Sequence, residues 1–82
     1  MIKENGNITY LLESGKEYNS LILKLTSDGY NWLIPPDFST IKFPRILHAD
    51  WNKTIMLYDV KENQDLYKKL YREKRISKML DN

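Results

Sequence analysis

The stretch "LYKKLYREKRISKML", residues 66–80, decides the fold because its hydrophobic period is that of a helix. With Leu66 placed at zero and about 100° added per residue, four of its aliphatic side chains fall within about 120° of one another. They are Leu66, Leu70, Ile76 and Leu80. The sequence therefore predicts an amphipathic helix over about residues 61–80, whose apolar stripe packs onto the rest of the domain.

The start of this helix has two candidate caps. Asp59 stands three residues before Glu62, which is the spacing of a capping box, and Asn63 is the alternative N-cap. Either acidic residue also suits the positive end of the helix dipole, while the cations that follow suit its negative end.

The opposite side of the predicted helix is basic. It carries Lys68, Arg72, Arg75 and Lys78, with Tyr71 among them and Tyr67 at the border. Residues 61–82 hold seven Lys or Arg against four Asp or Glu, whereas residues 1–60 hold six against seven. This basic side has two interpretations, which are the solvated outside of a packed helix and a surface that contacts a partner.

Before residue 60, short apolar runs alternate with turn signals, a pattern typical of a sheet. The β-like runs are at 8–12, 17–25, 30–34, 39–44, 45–50 and 54–60. Pro44 limits the run at 39–44 to a short edge strand. The predicted fold class is α+β, with a small antiparallel sheet or open barrel of four to five strands and one C-terminal helix packed on it.

Two hairpins are predicted within this sheet. In the first, Leu21, Leu23 and Leu25 recur at period two, the spacing of a half-buried strand. The Asp-Gly pair at residues 28–29 is a strong hairpin signal, and it predicts that strand 17–25 pairs with strand 30–34. In the second hairpin, the runs at 45–50 and 54–60 pair around the loop "WNKT", which begins at residue 51.

The composition is that of one globular domain spanning residues 1–82. Of the 82 residues, 41% are hydrophobic and 29% charged, which excludes a disordered tail. The chain has no Cys, no apolar run of about 18 residues and no signal-like segment, so we expect a cytoplasmic protein without a membrane partner. The abundance of Lys, Asn, Ile and Tyr, which have AT-rich codons, suggests a low-GC source such as a phage or mobile element.

Residues for catalysis are scarce. His48 is the one histidine in the sequence, and it stands two residues before Asp50, so the pair shares one face of a predicted strand. Such a pair is more often structural than catalytic, and no nucleophile or second acid accompanies it. The glycines form no phosphate-binding loop. The sequence therefore predicts no enzyme, no catalytic residue, no cofactor and no metal site.

The aromatic content favours recognition of a protein. Two Trp and six Tyr occur in the chain, and these residue types are enriched at interfaces. The predicted partner-binding residues are Trp51, Tyr67, Lys68, Tyr71, Arg72, Arg75 and Lys78. The loop around Pro35 and Pro36 is a second candidate for an apolar contact. Alternatives are a nucleic-acid-binding protein that uses the basic helix, and a structural subunit or homodimer without a ligand.

Overall fold

The computed structural model describes residues 2–80, and it describes their side chains except those of residues 38 and 77–80. A five-stranded sheet has one helix on each face. The strands are β1 (Ile2–Glu4), β2 (Asn7–Leu12), β3 (Asn31–Trp32), β4 (Arg45–Ala49) and β5 (Thr54–Asp59). The helices are α1 (Gly15–Ser27) and α2 (Gln64–Leu80), and a short 3-10 turn covers Phe38–Thr40.

The predicted fold class is confirmed as an α+β domain with a C-terminal helix on a sheet. The sheet has the order β1-β2-β4-β5-β3 and does not close into a barrel. It is mixed, because β3 runs parallel to β5 while the other neighbouring strands are antiparallel. The second hairpin, formed by β4 and β5, is also confirmed, with Leu47 opposite Leu57 and Ala49 opposite Ile55.

The predicted strand at residues 17–25 is wrong, since these residues belong to α1. Its inward side chains follow a helical spacing of three and four residues. They are Tyr18, Leu21, Ile22 and Leu25. Leu23, which the period-two pattern placed beside Leu21 and Leu25, is instead 70% exposed. Leu21 and Leu25 fit both periods, but Leu23 fits only the period of a strand, and including Tyr18 and Ile22 selects the helix.

Local signals at both ends of α1 agree with a helix. Ser14 is the N-cap, and its hydroxyl oxygen accepts from the Glu17 N–H at 3.2 Å. At the other end Gly29 has φ of 90°, its N–H donates to Thr26 O, and the Tyr30 N–H donates to Leu25 O. These are the two bonds of a Schellman cap. The Asp-Gly pair therefore ends a helix, and the predicted hairpin between 17–25 and 30–34 does not form.

The two edges of the sheet also differ from prediction. At one edge β1 pairs with β2 through a tight turn in which Asn5 and Gly6 have φ of 52° and 83°. At the other edge only two residues of the predicted strand 30–34 form β3. The predicted strand at 39–44 is absent from the described backbone, because Ile41 and Phe43 pack against the core beneath α1 instead of joining the sheet.

Neighbouring residues of each strand bury opposite faces of the sheet. The core on the α1 face contains Leu12, Tyr18, Leu25, Leu47, Ala49 and Ile55. The core on the α2 face contains Leu11, Ile46 and Leu70, with Ile2, Tyr58, Val60, Leu66 and Tyr67 packed around them. The helix that the sequence predicts correctly thus covers the smaller of the two cores.

The helix α2 starts at Gln64, so the residue before it, Asn63, takes the N-cap position. Its carbonyl oxygen accepts from the Tyr67 N–H at 2.9 Å, and its side-chain amide donates to Asp59 O. The Asp59 carboxylate accepts instead from the Lys61 N–H at 2.7 Å. Of the two predicted caps, Asn63 is therefore the one that the structure uses.

The buried face of α2 is rotated about the helix axis relative to the predicted apolar stripe. Leu70 is buried and Leu66 half-buried, but Ile76 is 55% exposed, so its predicted burial is wrong. The side chain of Leu80 lies outside the described residues. Lys74, which lies roughly 80° from Leu66 around the helix axis, occupies the inward side instead. Polar contacts of its ammonium group hold Lys74 there, and a pattern of hydrophobic residues cannot predict such contacts.

Candidate interaction surfaces

Trp51 lies at the tip of the turn between β4 and β5, where it is 71% exposed. Its backbone N–H donates to the Asn7 side-chain oxygen at 2.9 Å. Its Cβ is so close to Gly6 that a Cβ built on that glycine would lie 3.0 Å away. The two turns at this end of the sheet therefore support each other and leave the indole in solvent.

The predicted residues on α2 lie at the opposite end of β5 from Trp51. Six residues of β5 separate the turn from the segment that leads into α2. At about 3.3 Å per residue, the strand spans roughly 17 Å. The structure therefore divides the predicted site into two surfaces, the Trp51 turn and the outer side of α2.

The outer side of α2 is basic, as the spacing predicts. Lys68, Lys69, Arg72 and Arg75 are exposed. We call these four residues the basic face. The Lys78 side chain lies outside the described residues. Binding of a partner by the basic face stays a prediction.

The tyrosines beside the basic face are engaged with neighbours. Tyr67 is half-buried against the core on the α2 face. Tyr71 meets Tyr67 edge-on, with ring centroids 6.0 Å apart. The Arg75 guanidinium lies 5.1 Å from the Tyr71 ring centroid and donates to its hydroxyl group. Arg75 thus covers part of the ring on which a nucleic-acid base would stack.

A cluster of polar side chains fixes the position of α2. The Lys74 ammonium donates to Leu11 O at 3.0 Å, to Glu17 Oε2 at 2.5 Å and to Glu13 Oε1 at 2.9 Å. The Tyr10 hydroxyl donates to the same Glu17 oxygen at 2.9 Å. Because Glu17 belongs to the first turn of α1, the Lys74 cluster ties together both helices and the end of β2.

Burial and hydrogen bonding act against each other on the pKa values of this cluster. Burial raises the pKa of Glu17, but hydrogen bonds from Lys74 and Tyr10 outweigh it, so the pKa lies below its ordinary value. Burial lowers the pKa of Lys74, but its bonds to Glu17 and Glu13 outweigh it and raise the pKa. Burial and the bond to Glu17 both raise the pKa of Tyr10. The folded state therefore favours the ionised pair.

We expect the wild-type protein to lose more stability than the Glu17→Gln variant when the pH falls from 7 toward 3. The Glu17 pKa is lower in the folded state than the value of about 4.3 in an unfolded chain, so the unfolded state takes up the proton first. The contribution of ionised Glu17 to the free energy of unfolding is fully present above the unfolded-state pKa, and it is lost as the pH falls through the folded-state pKa. Urea unfolding at pH 7, 5 and 3 measures this difference.

The matched control for this pH experiment is Glu62→Gln, at an exposed carboxylate just before α2. The control should keep the wild-type dependence on pH. Equal dependence in the wild type and Glu17→Gln would contradict the assigned role of Glu17.

Two exposed aliphatic residues come directly after β3, at the edge of the sheet. Leu33 is 60% exposed and Ile34 is 78% exposed. They border an open hollow of about 400 Å³ at the edge of β5. The residues around it are Trp32, Leu33, Ile34, Pro36, Met56, Leu57 and Tyr58. We call this region the edge hollow; it includes Pro36 of the loop that the sequence marked as a second candidate.

The predicted His48 and Asp50 pair has structural contacts. The Asp50 carboxylate accepts from the Asn52 and Thr54 N–H groups of the adjacent turn. His48 Nδ1 lies 3.4 Å from Thr9 Oγ1, and its ring lies 5.8 Å from that of Tyr58. Within residues 2–80, His, Asp and Glu side chains form no group of three or more placed to hold a metal ion.

Neither α1 nor the described part of α2 is long and apolar enough to span a bilayer. Compared with known proteins, the chain matches no family model, no curated protein and no solved structure. Its function therefore has to be inferred from its own residues and their geometry.

Proposed function

We propose that the protein is a non-catalytic recognition module that binds another protein at the edge hollow. The observation that carries this proposal is the exposure of Leu33 and Ile34 next to Met56 and Tyr58. Contiguous exposed apolar side chains at one place on a small domain are typical of interaction surfaces. Burying Leu33 and Ile34 against a partner would contribute roughly 3–6 kcal/mol, before the costs of association are subtracted.

The basic face fits this proposal as a polar rim. Tyr58 lines the edge hollow and also packs, with Tyr67, against the core beneath α2. Tyr58 thus connects the edge hollow with the core that α2 covers, and Lys68 and Arg72 are exposed on the same helix. Charged residues at a rim tune association rate and specificity more than affinity. Trp51, at the far end of β5, belongs to a separate surface.

Binding of nucleic acid is the second candidate, and the four exposed cations of the basic face favour it. Base stacking is the weak part of that candidate, since Tyr67 is half-buried and Arg75 covers part of the Tyr71 ring. An apolar edge hollow also contributes nothing to phosphate binding. We therefore place a protein partner ahead of nucleic acid.

The test of the proposed function is the substitution Ile34→Asp. Because Ile34 is 78% exposed, the variant should fold with wild-type stability. A carboxylate at the centre of an apolar contact should weaken binding roughly tenfold or more, since at least one buried aliphatic contact is lost. The partner is captured from the native host on immobilised wild-type protein after nuclease treatment, and its affinity for each variant is then measured by titration calorimetry.

The matched control is Leu23→Asp, which alters a similarly exposed leucine on α1, away from the edge hollow. It should bind as the wild type does. The double variant Arg72→Glu with Arg75→Glu reports the contribution of the basic face, which we expect to be smaller than that of Ile34. If Ile34→Asp binds like the wild type, the edge hollow is not the interface. Loss of all captured material on nuclease treatment would favour the nucleic-acid candidate.

A further inference from the structure

The strand β3 ends while its neighbour β5 continues. β3 pairs with β5 only where Asn31 faces Thr54 and Trp32 faces Ile55. One more bond follows, from the Leu33 N–H to Ile55 O at 3.1 Å. The pairing of β5 with β4 continues to Asp59 on its other side. The second half of β5 is therefore an edge, although its first half lies inside the sheet.

The alternation of the backbone fixes which groups face this edge. Lys53 O and Ile55 O accept bonds from the β3 segment, so the groups of Leu57, two residues further, point the same way. Among the residues that the structure describes, none bonds to the Leu57 N–H or C=O on this side. Asp59 O is occupied by the Asn63 side chain. Within the part of the chain that the structure describes, Leu57 thus presents an unpaired donor and acceptor beside the edge hollow.

Side chains surround these backbone groups on both faces of the sheet. Met56 and Tyr58 lie on one face and Leu57 on the other, because neighbouring side chains of a strand alternate. Leu33, Ile34 and Pro36 form the far wall where the chain leaves the sheet. The edge hollow is therefore the space that a longer β3 would fill.

We propose that the partner inserts a short extended peptide segment into the edge hollow and adds it to the sheet as a strand beside β5. The inference rests on the proposed function and specifies the occupant of the same site. An extended backbone is the ligand that pairs with both groups of Leu57, whereas a helix has no free backbone groups along its side. Alternate side chains of the segment would be apolar, facing Met56 and Tyr58 on one side of the sheet.

The other edge of the sheet is less suited to such pairing. β1 carries Lys3 and Glu4, both exposed. Charged residues on a short edge strand are a common protection against pairing with another chain. The edge at Leu57 has apolar neighbours instead, so an incoming strand gains both hydrogen bonds and burial there.

The experiment selects 12-residue peptides from a phage-displayed random library on the folded wild-type protein, with counter-selection on Ile34→Asp. We expect enriched peptides with apolar residues at every second position. A series of synthetic peptides, each N-methylated at one backbone position, then tests the pairing. Methylation at residues facing Leu57 should weaken binding roughly tenfold or more, and methylation at the intervening residues should have little effect.

Amide hydrogen exchange supplies a second measurement. Binding of an enriched peptide should slow exchange at the Leu57 amide and leave exchange at Lys3, on the other edge, unchanged. Enriched peptides with helical spacing, or N-methylation effects without alternation, would overturn strand addition. So would self-association of the wild type that Ile34→Asp abolishes, because the occupant would then be a second copy.

Failure of this inference is distinguishable from failure of the proposed function. If no peptide is enriched while the captured protein still discriminates between Ile34→Asp and Leu23→Asp, the partner binds the edge hollow in another way. If Ile34→Asp does not weaken capture, the proposed site itself is wrong. Both the peptide selection and the capture use the full chain.

Discussion

Leu70→Ala is expected to lower the free energy of unfolding by about 2–5 kcal/mol, the usual cost of truncating a buried leucine. Leu70 is 1% exposed, and it packs between Leu11 and Ile46 on the α2 face of the sheet. A domain of this size has a stability of only about 3–5 kcal/mol. A substantial fraction of the variant should therefore be unfolded at 25 °C, as measured by urea unfolding followed by circular dichroism.

Ile76→Ala on the same helix is the matched control. Ile76 is 55% exposed, so its truncation should change the free energy of unfolding by less than about 0.5 kcal/mol. The two substitutions also distinguish the helix orientation in the structure from the one that the hydrophobic pattern predicts, because the pattern places both residues in one buried stripe. Equal destabilisation by both would mean that α2 packs with the predicted stripe inward.

The sequence predicts the existence of α2 but not its rotation. Its leucines define a helical period over many residues, and a long, regular pattern of that kind is the strongest signal that a sequence contains. The rotation depends on Lys74, which a hydrophobic pattern counts as outward. Its bonds to Glu13 and Glu17 join residues about sixty positions apart along the chain, and no local pattern contains them.

The sequence contains the signals for α1, although the pattern of its leucines hides them. The residues "SGKE" at 14–17 have capping-box spacing, and Tyr18, Leu21, Ile22 and Leu25 have helical spacing. The Asp-Gly pair after them suits either a hairpin or a helix end, because both need a residue that tolerates positive φ. The tight hairpin turn in the N-terminal part of the chain is instead the Asn5-Gly6 pair, which connects β1 and β2.

The candidate site is predictable in part. The basic face follows from spacing, and residues 68, 72 and 75 are exposed as expected. The edge hollow does not follow, because it exists only where β3 stops two residues after it starts. The "LIPP" segment at 33–36 contains the signal, since proline cannot donate in a ladder and ends the strand. The strand that β3 pairs with, β5, begins about twenty residues later in the chain. That the two segments are neighbours is therefore visible only in the tertiary structure.

Lys74→Met is the second substitution for which we expect a large effect, a loss of about 1–3 kcal/mol in the free energy of unfolding. The methionine keeps the length of the side chain and removes its charge. The carboxylates of Glu13 and Glu17 then lose their shared cation, and Leu11 O loses its donor. Removing one partner from a partly buried polar cluster costs more than the intact cluster contributes, because the remaining groups stay partly desolvated.

A double-mutant cycle tests whether the loss arises from the Lys74 cluster. Adding Glu17→Gln to Lys74→Met should recover part of the stability, because the uncompensated charge is removed, and the two substitutions should be coupled by about 0.5–3 kcal/mol. Lys68→Met, at an exposed lysine of α2, is the matched control and should change stability by less than about 0.5 kcal/mol. Additive effects of Lys74→Met and Glu17→Gln would mean that the two side chains do not stabilise each other, so α2 would be held by Leu70 and its neighbours alone.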